Sequence, residues 1–256
     1  MRLAFFSDIH GNLEAFNEVL KNMETRRIDR LYCLGDLVGY GPQPEEIVKR
    51  IRELGIPTVM GNYDDAVGSE KESCGCSYNP GRETEIGDES INWSIANTSD
   101  ASKEYLRSLP HTLEFEEEGV KFLLVHGSPL DHLLEYIKPT TPAERLEKVL
   151  GKVHADVVIN GHTHLPMVRW VKGKLVFNDG SVGRPKDGDP RTCYLIVDVV
   201  SGSLAHEFVR VGYDVKTTIE KMAQVGLPPE LGVVLALGRS YEMGAPKSTG
   251  EMEFKI

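Results

Sequence analysis

Leu3-Ala4-Phe5-Phe6-Ser7-Asp8-Ile9-His10 decides how the rest of the chain is read. A short apolar run that stops at Ser-Asp has the length of a buried strand and is too short for a signal-peptide core. The strand hands over at once to residues that bind cations and protons. Downstream, Leu13, Phe16, Leu20 and Met23 recur at helical spacing, and residues 31–34 form a second buried strand. A further helix has Pro44 near its start, Ile47, Ile51 and Leu54 on one face, and Gly55 as its C-terminal cap. Residues 57–60 read as a third strand. This β-α-β-α-β order predicts parallel strands joined by right-handed crossovers.

The rhythm breaks over residues 65 to about 100. The turn-rich run Ser73-Cys74-Gly75-Cys76-Ser77-Tyr78-Asn79-Pro80-Gly81 and the weakly amphipathic stretch after it predict an insertion lying over the surface. Beyond it, residues 113–115 and 120–125 pair about Glu118-Gly119. Thr141-Pro142-Ala143-Glu144 predicts a capping box with Pro at the first helical position, and Gly151 ends that helix. Residues 156–159 are another buried strand. Hairpins are expected about Lys172-Gly173 and Ser201-Gly202. A last helix runs from near Asp214 to Gly226. We therefore expect one domain over residues 1–226, with 227–256 as a C-terminal extension of no evident structure.

The 256 residues are 40% hydrophobic and 27% charged, ordinary for a globular chain with a sizeable core. Acidic residues outnumber basic ones 39 to 29, a formal charge of -10 that repels nucleic acid and anionic lipid. A nucleic-acid polymer is thus not expected as partner. No run approaches the roughly 20 apolar residues of a membrane span, and a cytoplasmic protein is expected. Cys33 and Cys193 fall in apolar strand-like runs and read as core residues.

Residues with metal-ligand chemistry recur at the ends of the expected strands: Asp8-Ile9-His10, Gly35-Asp36, Gly61-Asn62, His126-Gly127 and Gly161-His162-Thr163-His164. Ligands of open α/β sheets bind at the carboxyl ends of strands. Flanking glycines permit a sharp turn and close approach to an ion. In extended chain, Asp-x-His and His-x-His place both side chains on one side. Mixed nitrogen and oxygen donors suit Mn, Fe, Co, Ni or Zn rather than Ca or Mg. A single such His is ordinarily structural, but chance hardly explains five blocks at five strand ends.

Together these blocks, in this order, resemble the signature of calcineurin-like metallophosphoesterases, over residues 2 to about 210. Gly180-Ser181-Val182-Gly183-Arg184-Pro185 and Asp187-Gly188-Asp189-Pro190-Arg191 are similar to a stretch of the family's small prokaryotic branch. The resemblance implies a four-layer α/β/β/α sandwich with two divalent transition-metal ions at one edge of its sheets. It implies Asp8, His10 and His164 as ligands of the first metal and Asn62, His126 and His162 as ligands of the second. Asp36 would bridge both, and a metal-bridging hydroxide would attack the phosphorus of a small phosphate-ester substrate. Asp36, Asn62, Tyr63 and Asp64 are the catalytic candidates. Arg184, Lys186 and Arg191 are candidate substrate contacts, against ordinary surface charge.

The chain departs from the family at Tyr63, where many members carry the His that protonates the leaving alkoxide. A phenol is a weak acid near neutrality, which hurts esters with poor leaving groups most, and the resemblance to family members lacking that His implies a bias toward phosphodiesters or activated esters over general monoesters. The alternative is that Tyr63 packs or hydrogen-bonds. A phosphomonoesterase of protein-phosphatase or dinucleoside-polyphosphate type competes with the diesterase reading. So does a non-catalytic scaffold like the family's retromer subunit, although all the expected ligands are kept. The His-x-His-x-Asp-His run of a metallo-β-lactamase-like hydrolase is absent. Cys74-x-Cys76 reads as a turn of small residues, against a redox pair, a third metal site or a lid contact. His111, His132, His154 and His206 receive no role.

Overall fold

The computed structural model describes residues 1–240. The elements run β1 (Arg2–Phe6), α1 (Leu13–Glu24), β2 (Arg30–Cys33), α2 (Pro44–Leu54), α3 (Asn62–Gly68), α4 (Arg82–Ala96), α5 (Asp100–Ser108), β3 (Thr112–Glu117) and β4 (Val120–Val125). They continue with α6 (Ala143–Leu150), β5 (Val157–Asn160), β6 (Met167–Val171), β7 (Lys174–Asn178), β8 (Thr192–Val200), β9 (Ser203–Val211), α7 (Val215–Gln224) and α8 (Pro229–Leu237).

Two mixed sheets result, a four-stranded one in the order β2-β1-β8-β9 and a five-stranded one in the order β3-β4-β5-β7-β6. Strand alternation sorts the side chains into layers. Leu3 and Phe5 of β1 face Phe122 and Leu124 of β4 in the core between the sheets, where Phe5 and Phe122 stack at 6.1 Å. Ala4 and Phe6 point the other way, into the core under α1 and α2. Leu123, Val125 and Val158 face outward from the second sheet onto Leu146, Val149 and Leu150 of α6. The expected α/β/β/α sandwich is therefore present.

Most predicted elements appear within a residue or two of their place. Gly55 caps α2 at φ 59°, Pro44 opens it, and Asp214 caps α7 by accepting from the Thr217 amide. Several expectations are corrected. Residues 57–60 form no strand; Thr58 makes one isolated parallel bridge with Cys33. Leu54 is 41% exposed instead of lying on the buried face. The capping box at Thr141 does not form, because Thr141 Oγ1 accepts from the Lys138 amide and α6 starts after Pro142 without a side-chain cap.

The stretch from 65 to 100 is more than a cover over the surface. It folds into α4 and the start of α5, and Ile86 and Ile91 of α4 enter the main core together with Cys74. Past residue 226 the chain forms α8, whose Leu231 and Leu235 join the same core. The rest of the expected extension, 241–256, lies outside the described residues. No helix among the described residues is long and apolar enough to cross a membrane.

Candidate metal centre

Asp8 and His10 follow β1, Asp36 follows β2, His126 follows β4, and His162 and His164 follow β5, so the edges of both sheets converge on one place. The convergence yields two groups of donor atoms, Asp8–His10–His164 and Asp36–His126–His162, each spanning no more than 4.8 Å and each fully buried. Asn62 joins them from the first turn of α3, with Oδ1 3.1 Å from His126 Nε2. The strand-end pattern did not predict a helical position for Asn62.

The local backbone also differs from the extended chain expected for Asp-x-His and His-x-His. Asp8, His10, Asp36, His162 and His164 have φ of 53°, 48°, 55°, 66° and 59°. In this left-handed region each non-glycine residue costs roughly 1–2 kcal/mol. The turns fold the ligands back over the strand ends, and the surrounding contacts hold them there. Gly183 shows how close the chains come: a Cβ on it would lie 1.8 Å from the Ile9 carbonyl oxygen.

Backbone carbonyls fix the histidine tautomers. His10 Nδ1 lies 2.9 Å from the Val38 carbonyl, His126 Nδ1 2.7 Å from that of Leu34, and His164 Nδ1 2.5 Å from that of Arg184. A carbonyl only accepts, so each Nδ1 carries the proton, and in His10 and His164, whose charged forms burial disfavours, Nε2 presents a lone pair. His10 Nε2 and His164 Nε2 then face each other at 3.3 Å with no proton between them. Asp8 Oδ1 and His162 Nε2 are buried without a hydrogen-bond partner. Facing lone pairs and orphaned buried acceptors are costly unless a cation sits among them. The donor set thus fits divalent metal.

Titration follows from the same crowding. Burial drives His10 and His162 down to about 3, so both are neutral near pH 7. For His126 burial pulls down, but Asp36 overrides it and raises the imidazole to about 10. Asp36 is held well below the usual carboxylate range by His126, His10 and His162, against its burial. Burial lifts Asp8 to about 7.

The remaining predicted residues divide. Arg184 and Lys186 line a cleft of about 810 Å³ that also takes in Asp36, Asn62, His162 and His164. The Arg184 guanidinium stacks 3.9 Å over the Tyr40 ring. Burial, with Arg184 nearby, drops the Lys186 ammonium to about 7. Arg191 is corrected: it is exposed, closes on Asp189 at 2.6 Å, and does not line the cleft. Asp64 is corrected too. Its buried carboxylate accepts from the amides of Asp36 and Leu37 at 2.8 Å and of Gly61 at 3.0 Å, facing the backbone and not the cleft. Tyr63 is 1% exposed, packed between His10 and Tyr40 at 5.1 and 4.7 Å between ring centroids, with its amide donating to Asp36 Oδ1 at 2.8 Å. Of its two readings, packing and hydrogen bonding is the one its surroundings support.

Sequence reasoning missed several groups. Ser7 Oγ lies 2.5 Å from Asp8 Oδ2 and 2.7 Å from Asp179 Oδ1. One hydroxyl proton cannot serve two carboxylates, and burial pushes Asp179 well above its ordinary value. Asp179 therefore carries a proton for Ser7, and Ser7 donates to Asp8. Asp179 stands between β7 and Gly180, the same strand-end signal as Asp36. Tyr136 stacks on His162 at 4.0 Å. Cys74 and Cys76, expected as a plain turn, are joined by a disulfide. Asn62 Nδ2 donates to the Cys74 carbonyl at 3.1 Å and touches Cys76 Sγ at 3.2 Å, so this turn aims the Asn62 amide.

Comparison with known proteins agrees with this geometry. The chain is 35% identical over 254 residues to the uncharacterized protein MJ0912 of Methanocaldococcus jannaschii, covering 93% of this chain and 98% of that one. It is 27% identical over 203 residues to the phosphodiesterase YfcE of Escherichia coli, covering 74% and 84%. A crystal structure of a metallophosphoesterase from Sphaerobacter thermophilus superposes with a TM-score of 0.75 at 30% identity, covering 93% of this chain and all of that one. Protein PH1004 of Pyrococcus horikoshii, with a TM-score of 0.80 at 22% identity over 93% and 99%, shares the fold. Residues 1–202 match the description "Calcineurin-like phosphoesterase superfamily domain", and the chain belongs to that superfamily.

Proposed function

We propose that the protein is a binuclear metal-dependent phosphoesterase that prefers phosphodiesters to phosphomonoesters. The observation that carries the proposal is the pair of buried three-residue donor groups, with imidazole Nε2 lone pairs aimed at one another and no proton to separate them. Asp8, His10 and His164 would hold one ion, and Asn62, His126 and His162 the other. Asp36, a member of the second group, also reaches the first, with Oδ2 3.4 Å from His126 Nε2 and 3.6 Å from His10 Nε2, and would bridge them. Mn, Fe, Co, Ni and Zn match the mixed imidazole and carboxylate donors. Two such cations, when bound, would acidify a water as nucleophile and neutralise charge on the phosphoryl oxygens.

The chain's own residues do the rest. Arg184, buried and stacked on Tyr40, has no carboxylate partner among the described residues and lines the cleft, where an anionic ester would meet it. Lys186 adds a second cationic group. Ser7 and Asp179 hold Asp8 in place from behind. No imidazole follows Asn62, so a poor leaving group lacks the stronger acid that an imidazolium would supply, and that favours diesters or activated esters. The phosphodiesterase named among the relatives supports the same preference. The domain is proposed to span residues 1–226, with α8 of the C-terminal extension packed into its core.

The test compares a matched aryl phosphodiester and monoester on metal-stripped protein, with and without added Mn, Ni, Zn or Mg. Metal-dependent turnover favouring the diester is expected. Equal or faster monoester turnover would overturn the diester preference while leaving the metal centre in place. Absence of turnover with every metal would bring forward a non-catalytic scaffold of the same fold.

A further inference from the structure

Three phenols meet at the rim of the cleft. Tyr40 and Tyr63 are buried, at 4% and 1% exposure, and both rings stand edge-on to His10. Their hydroxyls converge on a third. Tyr40 Oη lies 2.5 Å from Tyr78 Oη, and Tyr63 Oη makes a short contact with the same atom. Tyr78 comes from the turn that follows the Cys74–Cys76 disulfide. Its ring rests on α4 at Gly87, where a Cβ would lie 2.3 Å from Tyr78 Cε2. It is half-buried and lines the cleft beside Asn62, His162 and Arg184.

Counting protons orders the cluster. Tyr40 Oη and Tyr63 Oη both bond Tyr78 Oη, and Tyr63 also interacts with the Tyr40 hydroxyl. A buried hydroxyl left without an acceptor costs about 1–3 kcal/mol. Both buried phenols are satisfied as donors when both donate to Tyr78 Oη. The Tyr78 proton is then free for Cys74 Sγ at 3.5 Å or for a group in the cleft that Tyr78 lines. An oxygen that accepts two hydrogen bonds is also the better donor, through polarisation along the chain.

We propose that the Tyr78 hydroxyl is the donor this cleft offers to the leaving oxygen of a phosphate ester, with Tyr40 and Tyr63 as the residues that position it. The proposal rests on the phosphoesterase reading above and moves the donor from Tyr63, next to Asn62 in sequence, to a residue of the intervening segment. Burial pushes the Tyr78 phenol well above its ordinary value, so it is a neutral donor and not an anion at neutral pH.

The experiment uses a series of phosphodiesters with 4-nitrophenyl, phenyl and alkyl leaving groups, on metal-loaded wild type, Tyr78→Phe, Tyr63→Phe and Gly87→Ala. Gly87→Ala displaces the Tyr78 ring while keeping its hydroxyl. Inorganic phosphate binding to the same proteins is measured by calorimetry, and metal content by elemental analysis. For Tyr78→Phe and Gly87→Ala we expect a loss of about tenfold on the alkyl ester and under about twofold on the nitrophenyl ester. Phosphate should bind about fivefold more weakly to Tyr78→Phe, with metal content unchanged. Tyr63→Phe should lose a smaller factor, equal along the series. Parallel loss for Tyr78→Phe with unchanged phosphate affinity would overturn the assignment, as would selective loss in Tyr63→Phe alone. If wild type hydrolyses no ester of the series, the phosphoesterase reading fails by itself. Phosphate affinity then decides on Tyr78: weaker binding to Tyr78→Phe keeps it as an oxyanion contact, and equal binding removes it.

Discussion

Asp64 illustrates how a carboxylate near a metal centre can serve the chain instead of the chemistry. Its two oxygens take three backbone N–H groups, from Asp36, Leu37 and Gly61, which ties the turn after β2 to the start of α3. Two of the proposed ligands, Asp36 and Asn62, sit on those two segments. Burial, with Asp36 nearby, raises Asp64 to about 7, while the Gly61 and Leu37 amides favour its charged form. An Asn in its place would turn an NH₂ group toward at least one backbone donor. Asp64→Asn should therefore cost about 1–3 kcal/mol, lowering the melting temperature of metal-free protein by roughly 2–10 °C. Differential scanning calorimetry checks this. An unchanged melting temperature together with a large loss of kcat would return Asp64 to the substrate's side of the site.

At the scale of elements, the segment carrying Tyr78 is part of the core as well as of the cleft. Ile91 on α4 is fully buried in the main core, so Ile91→Ala should cost about 2–5 kcal/mol in urea unfolding. A cost below about 1 kcal/mol would mean that this segment only covers the surface, as its sequence first suggested. Its sequence is hard to read for a physical reason. The buried face of α4 is Ile86, Gly87, Ser90, Ile91 and Ser94, so small and polar residues interrupt the apolar stripe, and Gly87 is there to admit the Tyr78 ring. The helix α8 hides for the opposite reason. Leu231, Val233, Val234, Leu235 and Leu237 leave it no polar face, and hence no period. Where a strand or helix had one clear apolar face, as in β1, α1 and α2, the pattern sufficed. The two donor groups were legible because Asp and His recur beside glycines at strand ends. Their left-handed backbone was not, since Asp8 or His164 carries no mark of a positive φ as Gly55 does. Asp179 and Tyr78 act through partners such as Ser7, Tyr40 and Tyr63 that only the folded chain brings near.

At the scale of the molecule, each donor group draws on both sheets. Asp8 and His10 leave the first sheet and meet His164 from the second; Asp36 leaves the first and meets His126 and His162 from the second. Any ion bound to either group thus fastens one sheet edge to the other, at a point where buried carboxylates and left-handed turns disfavour the empty arrangement. Since the ligands are far apart in sequence, the unfolded chain offers no comparable site, and metal binding must add to folding stability. At a free metal concentration about a hundred times Kd the gain is about 2.7 kcal/mol per site, or roughly 5–10 °C in melting temperature for a domain of this size. Mn or Zn added to metal-stripped protein should raise the melting temperature by that order, and EDTA should reverse it. His164→Ala and His126→Ala each impair one group, so each variant should keep about one of the two increments, and the double variant neither. If both single variants lost the whole gain, the two groups would form one cooperative site held through Asp36. If metal left wild type unmoved, the facing Nε2 atoms of His10 and His164 would need another explanation than a cation.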